Sequence, residues 1–241
     1  IMLKESITPQ IRIICATKGL DEDTGQLLNE VVEEILGKNR KFAVISGPTF
    51  AREVAAGLPA AVVVASKDVT FIDDLSARFN TPAFRVYPSD DVTGVELGSV
   101  VKNVIAIATG ISDGMELGSN ARSALITRGL SEIIRLGLKL GGKLDTFIGL
   151  SGMGDLILTC SDNQSRNRRL GLAIGKGADI QKAEQEIGQV VEGKRNAELV
   201  AVLAEHHGVD MPICNAVWEV LQGKLSGREA LEQLLARPAK T

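Results

Sequence analysis

Between Arg12 and about Pro88 the chain alternates short β-branched runs with helical segments, and this alternation limits the possible fold more than any other feature. The runs "IRIICATKG", "KFAVISG", "PAAVVVAS" and "AFRVYP" are separated by "TGQLLNEVVEEILG", "PTFAREVAAG" and "VTFIDDLSARFN". Such βαβα order builds a sheet with helices on its faces. Ala61 to Ala65 is apolar at every position, as in a parallel sheet covered on both sides. From about Asp91 onward the isolated strand signals cease. Helical periodicity takes over in "VELGSVVKNVIAIATGI", "ARSALITRGLSEIIRLGLKLG", "DLILTC", "RNAELVAVLAEHHG", "NAVWEVLQG" and "REALEQLLA". There is no fixed-period repeat and no low-complexity segment.

The expected fold is therefore α/β: the C-terminal part of a Rossmann-like doubly wound sheet over residues 1–93, then an all-α domain over residues 94–241. A doubly wound nucleotide domain ordinarily opens with a strand, a G-x-G-x-x-G turn and a helix, and none of these precedes Ile11. The chain thus reads as a fragment, with "IMLKESITPQ" as the tail of a helix feeding the strand at Arg12.

Composition removes several functions. Asp and Glu (30) outnumber Lys and Arg (27), so no domain-wide basic footprint for nucleic acid exists, and the arginine run in "SRNRRLG" is local. A small anionic ligand suits it better. Cys15, Cys160 and Cys214 lie far apart with no Cys-x-x-Cys pair, as expected of buried thiols in a reducing compartment. No apolar run approaches a membrane span and the N-terminus lacks a signal-peptide layout, so the expected location is cytoplasmic, without a membrane partner.

Ligand signals gather at strand ends and on two helices. In "IRIICATKG" a strand runs into Thr17-Lys18-Gly19, which puts a cation at the sheet's carboxyl edge; an ordinary turn lysine reads the same way. In "VISGPTFARE" a strand ends at Ser46-Gly47 and Pro48 suits the first helical position, so that amides from Thr49 to Ala51 could face an anion or simply cap a helix. Lys102 stands on a stripe of small residues, Gly98, Ser99 and Ala106, within an otherwise apolar helix, beside Asn103. Desolvation there would lower its pKa toward the range useful for proton transfer, while a snorkelling lysine is the structural alternative. In "GLSGMGDLILTCSDNQSRNRR" a glycine-rich approach leads to Asp155, either an N-cap or a carboxylate that takes a substrate hydroxyl or orients a lysine, with Thr159 on the same face. The arginines that follow have the shape for bidentate phosphate binding, or are surface charges at a helix start.

The segments "ATKGL", "VISGPTFA", "VKNVIAIATGISDG", "NARSALITRGL", "GMGDLILTC", "SRNRRLG" and "VVEGKRNA" resemble the bacterial NAD(P)-dependent glycerol-3-phosphate dehydrogenase family over almost the whole chain. The resemblance implies interconversion of sn-glycerol 3-phosphate and dihydroxyacetone phosphate, with NADPH the expected reductant, in the supply of glycerol phosphate for phospholipids. It also implies a homodimer. By the same resemblance Lys102 is the catalytic lysine. Lys18, Gly47, Thr49, Asn103, Asp155 and Thr159 contact substrate, and Ser165, Arg166 and Asn167 form its phosphate-binding triplet. Lys18, Ala51, Arg166, Val190 and Glu192 are its cofactor positions, while Arg168 and Arg169 are solvated neighbours. Two rivals stand beside this reading. One is a 3-hydroxyacid or 6-phosphogluconate-type dehydrogenase, which should lack the paired "SRNRR" and "SGPTFA" motifs. The other is a non-catalytic phosphate-binding module. The adjacent His206 and His207 face different ways, so no metal site is expected, and Trp218 reads as core.

Overall fold

The computed structural model describes residues 7, 8 and 10–238; the helix tail expected at the opening of the chain lies mostly outside them. Two compact units form. One comprises the described residues up to Ser99 together with Gly137–Asp155, the other Val100–Leu136 and the chain from Leu156 onward.

The first unit holds a four-stranded sheet in the order β1 (Ile13–Cys15), β2 (Phe42–Ser46), β3 (Ala60–Ala65), β4 (Phe84–Ser89). Its connections carry α1 (Leu28–Leu36), α2 (Ala51–Ala55) and α3 (Val69–Phe79). Successive strand residues point to opposite faces, and both faces are covered. Ala43, Val62, Val64 and Val86 pack with Phe71 and Leu75 of α3 on one side. Phe42, Val44 and Ala65 pack with Val92 and Val95 on the other. This accounts for the unbroken apolar run at Ala61 to Ala65.

The sheet is mixed rather than wholly parallel: β1–β2 and β3–β4 are parallel, but β2–β3 is antiparallel, with Ile45 opposite Val64. Helix length gives the reason. A parallel crossover must retrace the strand, and a five-residue helix such as α2 rises only about 7.5 Å against roughly 16 Å for a five-residue strand. The chain instead turns back beside β2. At that turn a Cβ on Gly47 would lie 2.8 Å from the Ala61 carbonyl oxygen, so the "SGP" glycine is required by the approach of β3. Pro48 is not the first helical residue, as the sequence suggested, since α2 begins at Ala51. The intervening residues are used up in the reversal.

Two long helices follow, α4 (Val92–Gly114) and α5 (Gly118–Lys139), most of whose residues belong to the second unit, while α6 (Leu144–Ile148) and a π-helical turn (Leu150–Gly154) complete the first. Glu96, on the first turns of α4, is 4% exposed and its Oε1 accepts the backbone N–H of Asn29 at 3.2 Å, while Oε2 has no partner. Burial pushes this carboxyl from its ordinary 4.5 up to about 8.

The second unit is helical throughout. After α7 (Asp155–Ser161) come α8 (Arg166–Gly175), α9 (Ile180–Ile187), α10 (Glu192–His206), α11 (Pro212–Leu221) and α12 (Gly227–Ala236). Helices α4 and α8 meet backbone to backbone. A Cβ on Gly110 would lie 2.2 Å from the Arg168 carbonyl oxygen, and one on Gly171 would lie 2.1 Å from that of Ile107. Gly114 and Gly175 repeat the contact one turn on. Elsewhere Glu132 of α5 receives the first N–H groups of α11, from Ile213 at 2.7 Å and Cys214 at 3.2 Å, which satisfies donors that every helix start leaves open.

Three sequence readings change here. Helix α4 has the length and apolarity of a membrane span, contrary to the expectation that no run does, but its most apolar window is wholly buried in the protein, so its apolarity serves the core. Trp218 is only half-buried, with Lys224 Nζ over its ring, 5.2 Å from the centroid. Cys15 is half-buried, on edge strand β1, unlike Cys160 and Cys214.

A carboxyl with a raised folded-state pKa stabilises the fold fully below its unfolded pKa and loses that contribution as pH climbs through the folded value. For Glu96 the window is about 4.5 to 8. Glu96→Gln should remove this dependence, so the stability of wild type relative to the variant should fall by up to about 1.4 kcal/mol per pH unit across the window, read from urea midpoints. Parallel curves for the two proteins would exclude a titrating Glu96. At the α4–α8 seam, Gly171→Ala forces a methyl group into a carbonyl and should cost about 3 kcal/mol or more in the same assay.

Candidate active site

In the sheet-bearing unit the candidate residues converge on the carboxylate of Asp155. Lys18, three residues past the end of β1, reaches it with Nζ at 3.2 Å from Oδ2. Ser46, the last residue of β2, stands with Oγ 3.5 Å from the same oxygen, at the limit of a hydrogen bond. Asp155 is 2% exposed and Lys18 is part-buried. Asp155 does not stand outside α7 as an N-cap; it is the helix's first residue and follows the π turn without a break. The N–H of Gly154 bonds the carbonyl of Gly149 at 3.0 Å, five residues back. That wider turn needs Gly152, where a Cβ would lie 2.1 Å from the Phe147 carbonyl oxygen, and it is served by Gly98 of α4, whose Cβ position is 3.2 Å from the Ser151 oxygen. The small-residue stripe before Lys102 thus admits backbone at this point. Thr49 donates its hydroxyl to the Gly47 carbonyl at 3.2 Å, and Ala51 is exposed.

The helical unit groups the others. Lys102 is 3% exposed and donates from Nζ to Thr159 Oγ1 at 2.9 Å. It does not snorkel to solvent. Asn103 Nδ2 donates to Glu192 Oε2 at 3.4 Å, tying α4 to the first residue of α10. Asn167 Oδ1 accepts the backbone N–H of Gly193 at 2.9 Å, a contact so close that a Cβ on Gly193 would lie 2.6 Å from that oxygen. Ser165 caps α8, its Oγ accepting the N–H of Arg168 at 3.2 Å. Arg166 opens the helix and is part-exposed, and Val190 is 75% exposed just before α10.

The triplet Ser165-Arg166-Asn167 therefore turns its acceptors inward. Ser165 receives Arg168 N–H and Asn167 receives Gly193 N–H. With one lone pair of each oxygen engaged, the start of α8 keeps a hydroxyl proton, an amide NH₂, a guanidinium and the first backbone N–H groups as donors in excess of acceptors. A site made of donors at a helix N-terminus suits an anion.

Two participants escaped the sequence reading. Ser46 is the residue beside Gly47 in "ISGPTF", and only its place at the end of β2 reveals it. Arg168 is not a solvated neighbour but 7% exposed, its charge met by the Asp113 carboxylate, and Arg169 is half-buried with Nε unpartnered. A run of arginines in sequence does not show which of them the helix turns inward. A cavity of about 790 Å³ in the helical unit, lined by residues such as Ile111, Ala124, Val217 and Leu234, contains none of the candidate residues. No group of His, Cys, Asp and Glu side chains able to hold a metal occurs among the described residues.

A two-sided sheet with a cation at its carboxyl edge, and an apolar helical unit with a buried lysine and a donor-rich helix start, accompany membership of the dehydrogenase class, which the comparisons with known proteins show. The chain belongs to the NAD-dependent glycerol-3-phosphate dehydrogenase family: the model of that family's C-terminus matches residues 91–232 and that of its N-terminus residues 2–72. It is 52% identical over 240 residues to glycerol-3-phosphate dehydrogenase [NAD(P)+] of Aliivibrio fischeri, covering 99% of this chain and 70% of that protein. With the enzyme of the same name from Shewanella sediminis the identity is 55% over 239 residues, covering 99% and 71%. The crystal structure of glycerol-3-phosphate dehydrogenase from Coxiella burnetii superposes with a TM-score of 0.95 at 52% identity, over 98% of this chain and 72% of that one. The enzyme from Saccharomyces cerevisiae gives 0.84 at 29% identity, over 97% and 70%. The mixed sheet followed by helices is accordingly of the Rossmann-like plus all-α kind.

Proposed function

We propose that this chain carries the reaction site of an oxidoreductase that interconverts sn-glycerol 3-phosphate and dihydroxyacetone phosphate with NAD(P), using NADPH in the reductive direction. It would act in the cytoplasm as a homodimer and supply glycerol phosphate for phospholipid synthesis. The observation that carries this reading is the presence, in the helical unit, of a buried lysine, Lys102, and of a start of α8 rich in donors. The names of the relatives agree with it.

Lys102 takes the proton of the C2 hydroxyl as glycerol phosphate is oxidised and returns it to the ketone oxygen on reduction. Thr159, which accepts from its Nζ, keeps the amine at one position. Asn103 adds a polar group beside it. Lys18, held on the Asp155 carboxylate, is the second cation assigned to substrate. Gly47 and Thr49 contribute the β2 end of the binding surface. Ser165, Arg166 and Asn167 bind the phosphate, and this remote binding holds C2 in reacting geometry.

The donor set also fits a nicotinamide dinucleotide. Lys18 and Arg166 supply cations for its phosphates, Glu192 an acceptor for its hydroxyls or amide, and Ala51 and Val190 exposed small or apolar surface. When bound, the nicotinamide gives or receives the hydride.

The test is loss of NADPH or NADH absorbance on adding dihydroxyacetone phosphate, with the protein expressed from its complete reading frame. Turnover is expected, and its absence from a folded protein would overturn the reading. Lys102→Ala should lower kcat by about 10³-fold with substrate binding largely kept. Arg166→Ala should instead raise KM by roughly tenfold or more. Near-normal turnover of Lys102→Ala would remove the lysine from the reaction.

A further inference from the structure

The phosphate reading leaves one buried cation without a task. Arg168 follows the triplet directly, yet its guanidinium is committed within the protein and makes three bonds to three different residues. Nε donates to the carbonyl of Cys160 at 3.0 Å, Nη1 to Asn163 Oδ1 at 2.7 Å, and Nη2 to Asp113 Oδ2 at 2.5 Å. Its own N–H goes to Ser165 Oγ. Apart from Asp113, the residues it touches before α8 lie at the end of α7 or on the link from it into the triplet. Cys160 is near the end of α7, Asn163 is mid-link, and Ser165 is the cap.

Asp113 anchors this arrangement. It stands on the last turn of α4, the helix that carries Lys102, and also receives Arg122 Nη1 of α5 at 3.0 Å. The link is therefore tied to α4 through one guanidinium. Surface binding does not call for such a construction, because a charge with 7% exposure is tolerated only when its donors are met. Lysine could not replace it, since a single ammonium lacks the planar fork that reaches a carbonyl, an amide oxygen and a carboxylate together.

We infer that Arg168 is a positioning residue for phosphate recognition. It fixes the Asp162–Ser165 link against α4, so that the Ser165 hydroxyl, Arg166, Asn167 and the first amides of α8 face the substrate phosphate as a preformed cradle. The inference rests on the assignment of that triplet to phosphate. Preformation acts on affinity, because a ligand that need not order its own cradle keeps more of its binding energy.

The test compares dihydroxyacetone phosphate with dihydroxyacetone, which has the same reacting carbonyl and no phosphate. Arg168→Lys and Arg168→Ala should raise KM for the phosphorylated substrate by about tenfold or more, with kcat and the slow turnover of dihydroxyacetone each within roughly twofold of wild type. Asp113→Asn should move the same parameter in the same direction by less, and it keeps the test open should Arg168→Ala fail to fold. Adding it to Arg168→Lys should cost little further, as expected of one network. A parallel fall on both substrates, or no change on either, would reduce Arg168 to ordinary structural support. A wild-type enzyme that turns over both substrates equally well would overturn the phosphate assignment itself, a result separate from any behaviour of the variants.

Discussion

The helical unit depends on a contact that contains no side chains. Gly110 and Gly114 of α4 lie against Gly171 and Gly175 of α8, each pair one turn apart, at separations that leave no room for a methyl group. Glycine in a helix interior costs roughly 1 kcal/mol relative to alanine, so Gly110 and Gly171, inside their helices, need a return. The return is proximity. With the backbones in contact, the cap of α8 is carried at a fixed distance from the helix that holds Lys102, and Arg168, three residues into α8, can reach Asp113 on that helix. A wider spacing with ordinary apolar side chains would leave that guanidinium short of its acceptor.

Buried polar groups mark where this chain departs from a plain apolar core, and they sort by what meets them. Glu132 meets the open N–H groups of α11 and Asp91 takes the N–H of Gly94 and of Lys143, both ordinary completions of backbone bonding. Arg168 meets a carboxylate and two further acceptors. Glu96 is different, for one of its oxygens has no partner, and desolvation therefore holds it protonated near neutrality. Lys102 is a buried cation on the apolar helix α4, and one of its bonds goes to the Thr159 hydroxyl.

Much of this was legible from the sequence, for identifiable reasons. Strand and helix periods differ, so the alternation up to Pro88 and the helices after it follow from spacing alone, as does the burial of both faces of β3. The antiparallel pairing of β2 and β3 was not legible, because its cause is the shortness of α2, and "PTFAREVAAG" carries no mark of where within it helix begins. The burial of Arg168 was hidden for a related reason. Four polar residues in succession give no apolar phase from which to tell the inward position, and the phase is set instead by Gly171 and Leu170 further along α8. The π turn before Asp155 was visible only as an excess of glycine. Its geometry depends on Phe147 and Gly98, which no local pattern connects to it.

The arrangement of acceptors around α8 bears on selectivity as well as affinity. A neutral polyol needs both donors and acceptors from its site, whereas a phosphate dianion needs donors alone. By committing Ser165 Oγ to Arg168 N–H and Asn167 Oδ1 to Gly193 N–H, the fold keeps these two oxygens engaged and presents protons. Under the proposed phosphate role, a glycerol without its phosphate would lose hydrogen bonds to water there and recover fewer, and such unpaired groups discriminate more strongly than missing apolar contacts do. The second of these commitments has a further consequence. Asn167 spends its oxygen on the start of α10, and Glu192 at that same start accepts from Asn103, the neighbour of Lys102. The start of α8, the helix of Lys102 and the head of α10 are thus joined by two hydrogen bonds, made at the neighbouring residues Glu192 and Gly193. Anything that displaces the head of α10 must break the bond to Asn167 and the one to Asn103 together.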